Sequence, residues 1–238
     1  MQDNRYAVRS KGVKEEMAPA TGRCAVDVGG ERLELLPDKA VLWPRAGTLF
    51  VADLHLGKAS SFRAASLPLP CGSGEDTLVR LTSLLRRAEA VELVILGDLW
   101  HSREGRTERE LARFEEWREC HAHLPITLVQ RNHDRRSGLL PPELRIEEVE
   151  EPLIRPPFAL RHYPEPCGDG YVLSGHLHPA VTLDGAGGQS LRLSCFWFSG
   201  RVGVLPAFGS FTGSASVVPR RGDKVFVVAD GEVLQVGG

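Results

Sequence analysis

Short apolar runs in this chain end repeatedly in an aspartate, an asparagine or a histidine. Thr48 to Ala52 runs straight into Asp53-Leu54-His55, and Val91 to Leu96 runs into Gly97-Asp98-Leu99-Trp100-His101. Ile126 to Val129 leads to Asn132-His133-Asp134, residues 158–162 close on His162, and 171–174 lead to Gly175-His176-Leu177-His178. Six of the eight histidines belong to this series, and only His121 and His123 fall outside it. Residues that are hard to bury, placed where buried strands end, usually serve a site. In open α/β sheets, ligands bind in the crevice beyond the carboxyl ends of the strands. The fold must therefore gather several distant strand ends at one place.

The pattern between these points supplies the frame. Cys24 to Val28, Gly29-Gly30 and Glu31 to Leu36 read as a hairpin with a glycine turn. Ala40 to Trp43 and Thr48 to Ala52 are short apolar strands. Residues 56–74 form a long loop rich in Ser, Pro and Gly, with room for one helical turn. Asp76 can cap a helix whose apolar face is Leu78, Leu81, Leu84, Leu85 and Ala88. A second helix runs from about Thr107 to His123, before the strand at Ile126. This strand–helix alternation implies parallel strands with crossover helices. After Leu144 the texture becomes short strands between Pro and Gly turns, near 144–149, 158–162, 171–174, 191–197, 202–205, 224–228 and 232–236. The expected fold is α/β: a two-sheet β-sandwich flanked by helices.

Composition narrows the class. With 238 residues the chain suits one large domain, expected over 23–238 and preceded by a polar, aperiodic extension over 1–22 that reads as disordered. A formal net charge of -2 means that any nucleic-acid contact must come from a local patch. Five scattered cysteines without a CxxC pair argue against a structural zinc site and suit a reducing, cytoplasmic setting. No stretch reaches the apolar length of a membrane span, and no secretory h-region is present.

Mixed oxygen and nitrogen donors from several segments are what metal sites require. About seven such groups are too many for one tetrahedral ion and suit two ions bridged by a shared carboxylate. The five blocks follow, in order, a pattern that resembles the calcineurin-like metallophosphoesterases: DxH, GDxx(D/H), GNH(D/E), a lone His, then GHxH. That resemblance implies a four-layer α/β/β/α sandwich and a set of roles. Asp53, His55 and His178 would hold one ion, and Asn132, His162 and His176 a second, with Asp98 bridging. His133 would assist catalysis beside the phosphate, with Asp134 orienting it. The ions implied are two divalent metals, Mn²⁺ first, with Fe or Zn also compatible with the ligand set.

Longer segments carry a narrower resemblance. LFVADLHLGKASSFRAASLPLP, VILGDLWHSREGRT, GYVLSGHLHPAV, SLRLSCFWF and VLPAFGSFTG are similar to the bacterial DNA-ligase-associated metallophosphoesterases. That kinship implies a phosphodiesterase, a nuclease in DNA repair, with DNA as substrate and an ATP-dependent DNA ligase, a helicase and an exonuclease as partners. Two other readings share the same ligands: a phosphomonoesterase or nucleotide-pyrophosphate hydrolase, and a non-catalytic scaffold of a repair complex. Scaffolds of this kind normally lose ligands, and none is missing here.

Two positions depart from the pattern. Arg131 stands where the family block carries Gly, and Arg161 precedes the lone His162. A Gly kept for positive φ would leave Arg131 strained; a Gly kept for space would let Arg131 reach a phosphate. His101, Arg103, Arg135, Lys58 and Arg63 are further candidate substrate contacts, set against the ordinary reading of such charges as a solvated face. Phe196, Trp197, Phe198, Phe208 and Phe211 read as sheet core, with base stacking as the alternative.

Overall fold

The computed structural model describes residues 22–64, 76–131, 140–185, 188–210 and 212–236. The expected extension over 1–22 lies almost wholly outside these residues, as do Asn132, His133, Asp134, Arg135, Arg136 and Phe211.

Among the described residues the first sheet has seven strands in chain order: β1 (Cys24–Val28), β2 (Glu31–Leu36), β3 (Ala40–Trp43), β4 (Thr48–Ala52), β5 (Glu92–Leu96), β6 (Ile126–Gln130) and β7 (Glu147–Glu150). Gly29 and Gly30, with φ of 61° and 78°, make the β1–β2 turn that alternation and glycine placement predict. From β4 to β7 the pairing is parallel. Helices α1 (Lys58–Ala64), α2 (Asp76–Ala88) and α3 (Glu108–Cys120) fall in the crossovers. Thr107 caps α3, its hydroxyl accepting from the Glu110 amide at 3.3 Å.

The second sheet holds β8 (Leu153–Arg155), β9 (Phe158–Leu160), β10 (Tyr171–Ser174), β11 (Pro179–Asp184), β12 (Ser190–Phe198), β13 (Val202–Val204), β14 (Ala215–Ser216), β15 (Lys224–Ala229) and β16 (Glu232–Gln235). Sequence reading missed β8, β11 and β14. Of these, β11 begins on a proline and is buried only over its first three residues, so it lacks the alternation that marks a strand.

Period-two burial divides the core by face. One face of the first sheet packs Val51, Leu93, Ile95 and Leu128 under Leu81, Leu84 and Leu85 of α2 and Phe114 and Trp117 of α3. The opposite face packs Phe50, Val94, Leu96 and Val129 against Phe158, Leu160, Phe196, Phe198 and Phe226 of the second sheet. The two-sheet α/β sandwich is therefore as expected. Its outer faces are unequal, however. Among the described residues, the outside of the second sheet carries small clusters around Val172, Val202 and Val204, with Leu177 and Trp197, where a second helical layer was expected.

Phe196, Phe198 and Phe208 are fully buried, so these aromatics are core rather than stacking platforms. His121 is likewise structural. It closes α3, with Nδ1 bonded to the Trp117 carbonyl at 2.8 Å and its ring stacked on Trp117.

Candidate metal centre

Asp53, Asp98, His162, His176 and His178 all follow the carboxyl ends of parallel strands: β4, β5, β9 and β10. The loops carrying them are laced together through the backbone. The His55 and Leu56 amides donate to the carbonyls of Asp98 and Leu99 at 2.9 and 2.8 Å, and Gly175 donates to His162 at 3.1 Å. The strand ends of the two sheets thus meet at one mouth.

Asp53, His55, Asp98, His176 and His178 all have φ between 41° and 69°, the left-handed region that side chains other than glycine rarely adopt. Such conformations persist where the surrounding structure over-determines them, and they cluster at functional sites. Gly97 and Gly175 serve the same convergence by lacking side chains. A Cβ on Gly97 would come within 1.9 Å of the His162 ring, and one on Gly175 within 2.6 Å of Asp53.

The imidazoles face one another in pairs. Nε2 of His55 lies 3.2 Å from Nε2 of His178, and Nδ1 of His176 lies 3.1 Å from Nε2 of His162. Outward hydrogen bonds set two of the tautomers: Nδ1 of His162 donates to the Leu96 carbonyl at 3.1 Å, and Nδ1 of His178 donates to the Gly213 carbonyl at 2.9 Å. Both rings are left with an Nε2 lone pair turned into the pocket, as a metal-binding histidine requires.

Two carboxylates complete the set. Asp53 is fully buried; Oδ2 accepts from the His176 amide at 2.9 Å, while Oδ1 has no hydrogen-bond partner among the described residues. Asp98 stands between the histidine pairs, with one oxygen 3.8 Å from Nε2 of His55 and the other 3.7 Å from Nε2 of His162. Two groups of donors result, each with its atoms within 4.8 Å of one another: Asp53, His55 and His178, and Asp53, Asp98 and His162.

The electrostatics favour positive charge here. Burial pushes His55 down to about 3, so its ring is neutral. His178 suffers the same burial, yet the Asp53 carboxylate, with help from the Gly213 carbonyl and Asp98, raises it above the ordinary histidine value. A buried acceptor without a donor among the described residues, ring nitrogens converging on one another and carboxylates that favour a cation at Nε2 together fit a bound metal ion.

The other candidates sort by position. His101 packs edge-on to His55 at 5.4 Å between ring centroids, its Nδ1 buried without a partner, and burial, then the charge of Lys58, lowers its pKa. Lys58 lies on α1 near the same rings, with Nζ 5.6 Å from the Phe62 centroid. Arg63 lies on α1 as well, and its side chain is outside what the structure describes. Arg103 is exposed on the turn after β5.

Arg131 is not in the left-handed region, so the strain considered for it does not arise. Its guanidinium is also engaged. Nε donates to Glu151 and Nη2 to Glu165, both at 2.8 Å, and the group lies 4.3 Å above the Tyr163 ring. Arg161, the second departure, binds the same two acids at 3.3 and 3.1 Å. The other oxygen of Glu151 accepts from the amides of His162 and Tyr163, at 2.6 and 3.1 Å. The two unexpected arginines therefore belong to one charge network that holds the backbone under His162. Glu151 and Glu165 escaped sequence reading. The signal for them was there in the pair of unmatched arginines, each next to a ligand block and each in want of an acid.

Fold and pocket together define a class: a two-sheet α/β protein with a histidine–carboxylate centre at the shared strand ends. No protein-family model matches the chain, and neither does any curated protein. Among solved structures, the crystal structure of Pseudomonas putida nuclease MPE is similar to it, with a TM-score of 0.80 and 40% sequence identity over 90% of this chain and 100% of that one. At that identity and coverage the chain belongs to the family of that nuclease.

Proposed function

We propose that this protein is a metal-dependent phosphodiesterase that acts as a nuclease, with Asp53, His55, Asp98, Asn132, His162, His176 and His178 holding two divalent ions, Mn²⁺ foremost. The observation that carries this reading is the pairing of imidazole nitrogens at 3.1–3.2 Å around two carboxylates, one of them fully buried with an unsatisfied oxygen. Kinship with a nuclease directs it toward nucleic acid. Its setting in DNA repair, alongside a ligase, a helicase and an exonuclease, rests on the sequence resemblance. Among the described residues no helix is long and apolar enough to cross a membrane.

Ions bound there would supply Lewis acidity, polarising the phosphate and lowering the pKa of a water at neutral pH. The chain's own residues do the rest. The Leu96 and Gly213 carbonyls hold the His162 and His178 tautomers with Nε2 inward. Asp98, with an oxygen toward each histidine pair, is the group suited to bridge. His133, assigned by its block alone, would give a proton to the departing oxygen, help typically worth about 10²–10⁴-fold.

The test is hydrolysis of a single strand and of an aryl phosphodiester, beside an aryl phosphomonoester, before and after chelation. Activity should vanish with chelator, return with Mn²⁺, favour diesters, and fall almost to background in Asp98→Ala. Undiminished turnover by chelated protein or by Asp98→Ala would end the two-metal reading.

A further inference from the structure

The far side of His178 borders a small cavity of about 140 Å³. Lys39, Arg80 and His178 line it with Ser194, Ser210 and Thr212, and no carboxylate of the described residues is in its wall. Lys39 sits in the β2–β3 turn with φ of 68°. Arg80 comes from α2, where among the described residues it makes long bonds to the carbonyls of Phe208 and Asp38, at 3.3 and 3.4 Å, and lies 4.7 Å over the Phe208 ring. The acid beside Lys39 is already used: Asp38 accepts from Arg87 at 2.7 Å.

Two cations thus face one small polar space without a counter-charge among the described residues. Burial, and then the charge of Arg80, lowers the pKa of Lys39, which is the electrostatic cost of that arrangement. An anion in the cavity would remove it. The volume suits a group the size of a phosphate, and hydroxyls beside a lysine and an arginine are its usual partners. Only one ring separates this space from the metal centre. Nδ1 of His178 is bonded to Gly213 in the cavity wall, and Nε2 faces His55 and Asp53.

We propose that this cavity receives a second phosphate of the nucleic-acid strand, the neighbour of the one being cleaved. The proposal rests on the nuclease reading above. It makes Lys39 and Arg80 binding residues that set the strand's register across the metal centre, a role for which neither position carried a motif.

The test compares a dinucleoside monophosphate, whose single phosphate is the scissile one, with the same compound bearing an added 5′- or 3′-phosphate. In the wild type, a phosphate at one end should raise kcat/KM by about tenfold to a hundredfold, the worth of a charge-assisted hydrogen bond. Lys39→Asn should abolish the gain, and Lys39→Arg should keep much of it. Asn accepts the left-handed backbone at this position, so the loss would not be one of folding, and an unchanged melting temperature checks this. Absence of a gain at either end, or a gain undiminished in Lys39→Asn, overturns the proposal. Longer strands cut while neither dinucleotide form is touched would also overturn it. If no strand of any length is cut with Mn²⁺ supplied, the nuclease reading itself fails, and the two failures are distinct.

Discussion

Replacing Glu151 tests whether the charge network beneath His162 holds the centre together. The Glu151 side chain is 2% exposed, and its two oxygens receive four donors: the His162 and Tyr163 amides, Arg131 and Arg161. In Glu151→Ala the two amides lose their acceptor, at about 1–3 kcal/mol each when buried. Arg161 also loses a carboxylate partner. A total of about 3–5 kcal/mol follows, the usual consequence of breaking a buried pair. At about 2–4 °C per kcal/mol for a chain of this size, melting should fall by about 6–20 °C. Glu151→Gln keeps an acceptor oxygen for the amides but turns the oxygen that faces Arg131 and Arg161 into an NH₂ donor, so its cost should come from the arginine side alone and stay below that of Glu151→Ala. The charge has a pH signature. Burial opposes ionisation of Glu151, but the two amides, Arg131 and Arg161 outweigh it and hold its pKa below the ordinary carboxylate value. A depressed carboxylate stabilises the fold above its unfolded pKa, about 4.3, and that stability is lost as pH falls through the folded value. The difference between wild type and Glu151→Gln should therefore be constant at neutral pH and shrink below about pH 4. Thermal melts across pH, with titration of Mn²⁺ binding by calorimetry, provide the assay. Metal affinity should drop about 10–100-fold in Glu151→Ala, as when other outer supports of a ligand are removed. Wild-type melting and wild-type metal affinity in that variant would refute the reasoning. A melting loss with affinity intact would reduce Glu151 to a fold residue.

Two other substitutions discriminate between readings of the site. Gly97→Ala would place a methyl against the His162 ring, whereas Gly30→Ala, with a similar φ, meets nothing within 4 Å. Gly97→Ala should lose about 10²-fold in phosphodiester turnover by displacing a proposed metal ligand, while Gly30→Ala should show only the local cost of about 1–2 kcal/mol; equal turnover in the two would contradict the proposed role of His162. Arg131→Gly, which restores the residue usual in the resembling family, should lower the melting temperature by removing the bonds to Glu151 and Glu165, yet leave oligonucleotide affinity and its salt dependence unchanged. A shallower salt slope, by about 0.7 for a single strand, would put Arg131 on the substrate after all.

Much of this protein was legible in its linear order because the informative signals are local. Period-two apolar runs, the Gly29-Gly30 turn and the Leu faces of α2 specify their own conformations, and the two-sheet frame follows from them. The candidate ligands were legible for a related reason. Each sits within one to four residues of a strand end, so the element that positions it is its sequence neighbour. What could not be read is whatever depends on two distant residues meeting. Nothing in the spacing of Arg131, Glu151, Arg161 and Glu165 says that they form one network, because register between β6 and β7 and the approach of the second sheet bring them together. Lys39 and Arg80 share a cavity only because a hairpin turn and the second turn of a helix both border His178. The left-handed backbone at Asp53, His55, Asp98, His176 and His178 has the same origin. Asp and His tolerate it better than most side chains, but five such residues at one place are held there by the packing of two sheets around a common mouth.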